Sequence, residues 1–235
     1  MRVNSMFTSE DRRELFLGAL FLMLVACHWF AAFLYAPVDE HQGEVYRIMF
    51  LHVPAAITAF ASSAALAVFS TLGLKQRSES SLALAKATAE VGLLFTLLTL
   101  ATGSIWGRPT WGTWWTWDAR LTTTFLLALL YSGYLLLYSA MPAGPGRVRA
   151  CAVLGILIFA DVPIIYKSVT WWRTLHQPPS MLRAGGPTMD PEILWTLVVG
   201  IATLCLYASW LIRFRSRNIR LADNLEAASF EQLHS

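Results

Sequence analysis

Two histidines and a tight set of tryptophans are the residues of this chain best suited to chemistry. His52 stands in "RIMFLHVP" and His176 in "WWRTLHQPPS". Between them, "WGTWWTWDAR" packs Trp111, Trp114, Trp115 and Trp117 into ten positions and ends on Asp118 and Arg120. A neutral imidazole offers a lone pair to iron or to zinc. Indoles set close together make a flat apolar shelf, which suits a planar ligand because aromatic faces stack offset and exclude water. A sugar, a quinone ring or a porphyrin would each fit such a shelf. An aromatic belt at a membrane interface would use the same residues.

The histidines discriminate among these. Of the five, His234 lies in the tail, His41 in the acidic stretch "VDEHQGE", and His28 inside an apolar run. His52 and His176 alone flank the tryptophan segment. Two imidazoles beside indoles, without a thiolate or carboxylate cluster, suit axial ligation of haem better than a tetrahedral zinc site. Haem would also need cations for its propionates, and Arg47, Arg108, Arg120, Lys167, Arg173 and Arg183 are the candidates on that side. Asp118 is placed to cap a following helix and to hold Arg120 in position.

Other chemistries find little support. Cys27, Cys151 and Cys205 lie in or beside apolar runs, and an odd count builds no disulfide framework. No C-x-x-C-H occurs, so the chain has no c-type haem attachment site of its own. "AGPGRVR" follows no strand and reads as a turn, not a nucleotide-binding loop.

The elements that must position these residues are membrane helices. The chain is 56% hydrophobic and 14% charged, against roughly 25% charged in a soluble domain. Its apolar residues form runs of about 20, enough to cross a hydrocarbon core as helix. Six spans are expected, at about 15–35, 48–74, 82–103, 121–140, 150–168 and 192–212, forming one all-α membrane domain over 1–235. Lys and Arg set the orientation. Arg2, Arg12, Arg13, Lys75, Arg77, Lys86, Arg147, Arg149, Arg213, Arg215, Arg217 and Arg220 fall on one side, against six residues on the other. Both termini are therefore expected in the cytoplasm, with the Trp-rich loop, 104–120, outside. The net charge of +3 reflects this anchoring, not nucleic-acid binding. "RFRSRNIR" reads as a stop-transfer and lipid-headgroup patch. The first span reads as retained, because its apolar stretch is too long for a cleaved leader and no small-residue cleavage site clearly ends it.

Three residues inside spans are unusual. Pro54, two residues after His52, deprives residue 50 of a helical bond and should kink the second helix. Pro163 could do the same in the fifth. Asp161 is an intramembrane acid, and such acids are usually paired. His28 is one possible partner.

The segments "RIMFLHVPAA", "WGTWWTWDARLT" and "PIIYKSVTWWRTLHQ" together resemble the haem-handling membrane protein C family of bacterial cytochrome c maturation (CcmC, system I). The similarity runs over about residues 35 to 180. The Trp-Asp motif marks a wider superfamily that includes larger subunits, and six spans favour the protein C family. The resemblance implies that His52 and His176 are axial ligands of haem b. The haem site would further comprise Trp111, Trp114, Trp115, Trp117, Asp118, Arg120 and Arg47, facing the periplasm from the inner membrane. The implied partners are a periplasmic haem chaperone (protein E), ATP-binding-cassette subunits (proteins A and B) and a small single-span subunit (protein D). The chain would then be a haem transfer and export component more than a conventional enzyme, with promotion of covalent haem attachment to the chaperone left open. Asp161 departs from the family, where a neutral residue is expected. Two other classes compete: a b-type haem or quinone electron-transfer protein, and a carbohydrate transporter using the tryptophan shelf.

Overall fold

The computed structural model describes residues 8–76, 79–178, 181, 185–187 and 189–234. Arg2, Arg77 and Arg183, named above, lie outside the described residues. Six helices follow in order: α1 Ser9–Leu34, α2 Met49–Gln76, α3 Glu79–Trp111, α4 Ala119–Ala140, α5 Pro145–Trp171 and α6 Pro191–His234. All six are long and apolar enough to cross a membrane. No strand is formed among the described residues beyond one isolated bridge, Asp39 to Gly43. The reason is elementary: in lipid each backbone group needs a partner within its own segment, which a helix supplies.

Helices α2, α3, α4 and α5 touch in a ring, α2 closing against α5. Helix α6 lies against α2 and α3, and α1 against α6. The core of the ring is filled by Leu66, Leu127, Tyr131, Tyr134 and Ile158, each fully buried. Gly92 of α3 makes room for the Tyr131 ring, which a Cβ there would strike. Between α2 and α6 the contact uses Ala55, Ala59 and Ala208, small residues that let backbones approach.

Two boundaries differ from the expected ones. Helix α3 continues past residue 103 to Trp111. Trp106 and Trp111 are therefore helical, and the tryptophan loop proper spans only 112–118. Pro109 does not stop the helix, since only the bond to the carbonyl four residues earlier is lost. Gly112 stops it, at φ 78°, donating its N–H to Arg108 O at 3.1 Å. Helix α6 likewise runs well beyond residue 212. Three of its arginines are paired with acids: Arg213 with Glu14 (3.0 Å), Arg215 with Glu90 and Arg217 with Asp11 (3.1 Å). The "RFRSRNIR" segment is thus tied to α1 and α3, where headgroup contacts were expected.

Candidate functional site

The four ring helices surround an open recess, a funnel, at the end carrying the tryptophan loop. A cavity of ≈ 480 Å³ opens there, lined by all four: His52 and Phe60 of α2, Gly103, Trp106 and Trp111 of α3, Arg120 and Leu121 of α4, and Ile165 and Tyr166 of α5. Trp115, from the loop, and His176, from the segment after α5, complete the wall. The volume lies in the range of small-molecule and cofactor sites. The walls are mostly apolar, which suits a planar apolar molecule.

Both expected histidines line this one cavity, brought together across more than a hundred residues of chain. His52 sits near the start of α2, after a 3₁₀ turn at Glu44–Ile48. Its Nδ1 lies 3.1 Å from Thr102 Oγ1. That hydroxyl's proton is engaged with Leu98 O at 2.7 Å, a normal turn-back bond of a helical threonine. Thr102 Oγ1 therefore accepts from the ring, with the Thr99 backbone carbonyl a second acceptor beside it; Nδ1 carries the hydrogen, which leaves Nε2 as the lone-pair nitrogen. His176 reaches the same state by another route. Its Nδ1 lies 2.8 Å from Gln177 O, and a carbonyl can only accept. Burial, reinforced by the Arg120 charge, pushes the His176 imidazole down to about 4. It is neutral at physiological pH. Each ring thus has Nδ1–H held by an oxygen and Nε2 left as the lone-pair nitrogen, the arrangement usual for a histidine able to bind a metal. No cluster of three or more acidic, Cys or His side chains with metal-binding geometry occurs among the described residues.

The tryptophans divide into two groups. Trp111 and Trp115 line the cavity, with the Trp111 ring 6.4 Å from that of His176. Trp114 and Trp117 face outward, 58% and 73% exposed, and Trp117 packs edge-on against Trp115 and Phe125. A third indole, Trp106, stands on α3. It lies edge-on to His52 at 5.8 Å and lines the cavity. The signal for it was available, because residues 103 and 106–107 share a helix face with Thr102 once α3 is extended.

Asp118 caps α4, accepting from Leu121 N at 2.9 Å. Its other oxygen accepts from Leu175 N at 3.1 Å. One carboxylate therefore pins the segment carrying His176 to the tryptophan loop, a role the local sequence gave no hint of. Arg120 makes no ion pair with Asp118 within 4 Å. It donates to Tyr166 O and, more weakly, to Ser168 Oγ across the α4–α5 seam, and among the described residues it is the cation that lines the cavity. Arg47 does not reach the cavity. Its guanidinium is spent on Glu44 and on the carbonyls of Ala32 and Ala36, where it caps the end of α1. Arg108 likewise serves the end of its own helix through Gly112 O.

His28 is not the partner of Asp161. Its Nε2–H donates to Phe50 O at 3.0 Å, the carbonyl that Pro54 leaves without a helical donor. Asp161 is buried on α5, and its Oδ2 has no hydrogen-bond partner. Helix α5 runs unbroken across Pro163.

Known proteins are similar over most of this length. Residues 4–230 match the family described as "Heme exporter protein C". The protein of that name from Escherichia coli strain K12 is 39% identical over 201 residues, covering 85% of this chain and 80% of the relative. Its counterpart from Bradyrhizobium diazoefficiens is 44% identical over 164 residues, covering 70% and 62%. A ccmC-like mitochondrial protein of Marchantia polymorpha, named for cytochrome c biosynthesis, is 43% identical over 150 residues, covering 64% and 63%.

Proposed function

The chain belongs to the haem exporter protein C family, and on that premise we propose that its funnel holds haem and presents it for hand-over. Its role is haem delivery in cytochrome c maturation, within a multi-pass membrane protein. The observation that carries the site is the matched pair of imidazoles on one cavity, each with Nδ1–H occupied and Nε2 free. His52 and His176 are the axial ligands in this reading. Trp111 and Trp115, joined by Trp106, wall the porphyrin.

Two groups suit the propionates. Arg120 lines the cavity with only part of its five N–H donors engaged. The Trp115 indole N–H is buried without a partner in the same wall. Trp114 and Trp117, facing outward, would meet an acceptor protein. The funnel opens to the periplasm of a bacterial inner membrane, the acceptor is a periplasmic haem chaperone (protein E), and the neighbours are proteins A, B and D. The cargo is haem b. The residues supply orientation and ligation more than acid–base chemistry.

The test is haem content of the purified full-length protein, read from its Soret band. A double variant, His52→Ala with His176→Ala, should retain less than about a tenth of the wild-type haem, since both iron–nitrogen bonds are lost. Unchanged retention would refute the bis-imidazole site.

A further inference from the structure

We propose that the two imidazoles are unequal: His52 is the retained ligand, kept in place by Thr102 as a positioning residue, and His176 is the one exchanged at hand-over. This rests on the bis-imidazole reading above.

The restraints on His52 come from two other helices, α3 and α1. Thr102 of α3 accepts from its Nδ1–H, and cannot rotate away without losing its own bond to Leu98 O. Gly103 lets the ring lie directly on α3, where a Cβ would stand 2.9 Å from its Cε1. Beneath it, the proline-interrupted turn is splinted from α1 by His28 on Phe50 O. Moving His52 means disturbing packed helices.

The restraints on His176 are local. Its Nδ1–H is held by the adjacent Gln177 O, and its backbone N–H by Thr174 Oγ1, two residues away. Among the described residues, one hydrogen bond ties the stretch 173–178 to another element, from Leu175 N to Asp118 Oδ2, and the Trp111 ring lies beside that of His176. Segments with few long-range bonds open at far lower free energy than packed helices. Opening on the His176 side therefore frees one face of the iron while His52 keeps the other.

The exchange balances simply. The iron–Nε2 bond of His176 breaks as a bond to a neutral nitrogen donor of the acceptor, such as an imidazole, forms. No electron is transferred and no proton need move, because both donors are neutral.

The experiment uses the full-length protein in detergent, loaded with haem, and compares single variants. His176→Ala should keep at least about half the haem, as a five-coordinate high-spin ferric species that added imidazole returns to low spin. His52→Ala should lose about tenfold or more. Equal losses, or a larger loss for His176→Ala, would overturn the inequality; no loss in either would instead refute the bis-imidazole reading itself. Thr102→Val should raise the midpoint potential and speed haem loss about tenfold, since the Nδ1 acceptor makes the ligand more basic. Thr102→Ser should restore both. A valine variant with wild-type potential and haem loss would remove Thr102 from the scheme. The wild type offers a check free of folding effects. Free imidazole should displace one axial ligand while the haem stays on the protein; haem leaving in step with displacement would contradict the scheme.

Discussion

At the residue scale, the tryptophan segment turns out to hold two kinds of indole. Trp111 and Trp115 face the cavity, and Trp114 and Trp117 face out. Stacking is worth about 1 kcal/mol beyond area burial, so Trp115→Ala should weaken haem binding roughly fivefold or more, with Phe intermediate. Trp114→Ala should leave haem per protein near wild type and lower transfer to an acceptor. Haem per protein and transfer rate, measured on the same preparations, check this. If Trp114→Ala and Trp115→Ala lower haem equally, the division is wrong. Trp210, at the opposite end, is not an idle interface residue. It donates to buried Glu14 at 3.0 Å and packs on Gly18, so its loss should lower abundance. The histidines and tryptophans were legible as a group because their types are rare and their spacing dense. Which indoles face the cavity was not, because the loop folds by contacts with Phe125 and the His176 segment.

At the element scale, two devices hold the site in register. Asp118 caps α4 and pins Leu175. Thr8 caps α1 far from the cavity, in a capping box with Asp11. Each cap is worth about 1 kcal/mol, so the two Ala variants should lose similar stability. Asp118→Ala alone should reduce the low-spin fraction of bound haem, with occupancy near wild type. Optical spectra of both variants decide it; matching spectra would reduce Asp118 to a cap. The second device is the His28 splint on the carbonyl left open by Pro54. An unsatisfied buried acceptor costs about 1–3 kcal/mol. Pro54→Ala restores a backbone donor, so His28→Ala should cost less in that background. A double-mutant cycle on thermal or denaturant unfolding should give a coupling of about 0.5–3 kcal/mol. Strict additivity would mean that His28 acts elsewhere. The sequence showed the orphaned carbonyl but not its donor, which comes from another helix.

At the scale of the whole molecule, the connections after α1, α3 and α5 lie at the funnel end, and the arginine pairs of α6 with α1 and α3 lie at the other. If Lys and Arg set the topology, a periplasm-active reporter inserted at 113–116 should be active and one at 141–143 inactive. The reverse pattern would point the funnel into the cytoplasm. Below the funnel the ring is closed by Tyr131 and Tyr134, both fully buried. Tyr131 also donates to Ala59 O at 3.2 Å. Removing such a ring leaves a cavity costing about 3–5 kcal/mol. Tyr131→Ala should therefore lower the unfolding midpoint markedly in a thermal melt, while Phe retains most of the packing.

Span number, approximate limits and the charge difference between the two ends were readable along the chain because each is a sum over neighbouring residues: apolar length, helix-stopping signals, counts of Lys and Arg. Even there the ends of α3 and α6 ran long, since Gly112 and the ion pairs of Arg213, Arg215 and Arg217 decided where the helices continue. Facts that join distant residues were decided by tertiary packing. Arg47 and Arg120 look equivalent in sequence, two cations near the same face. Packing commits Arg47 to the end of α1 and leaves Arg120 on the cavity wall. The tautomers of His52 and His176 follow the same rule, for a ring nitrogen takes its hydrogen according to the oxygen beside it. For His52 that oxygen lies on another helix, fifty residues away.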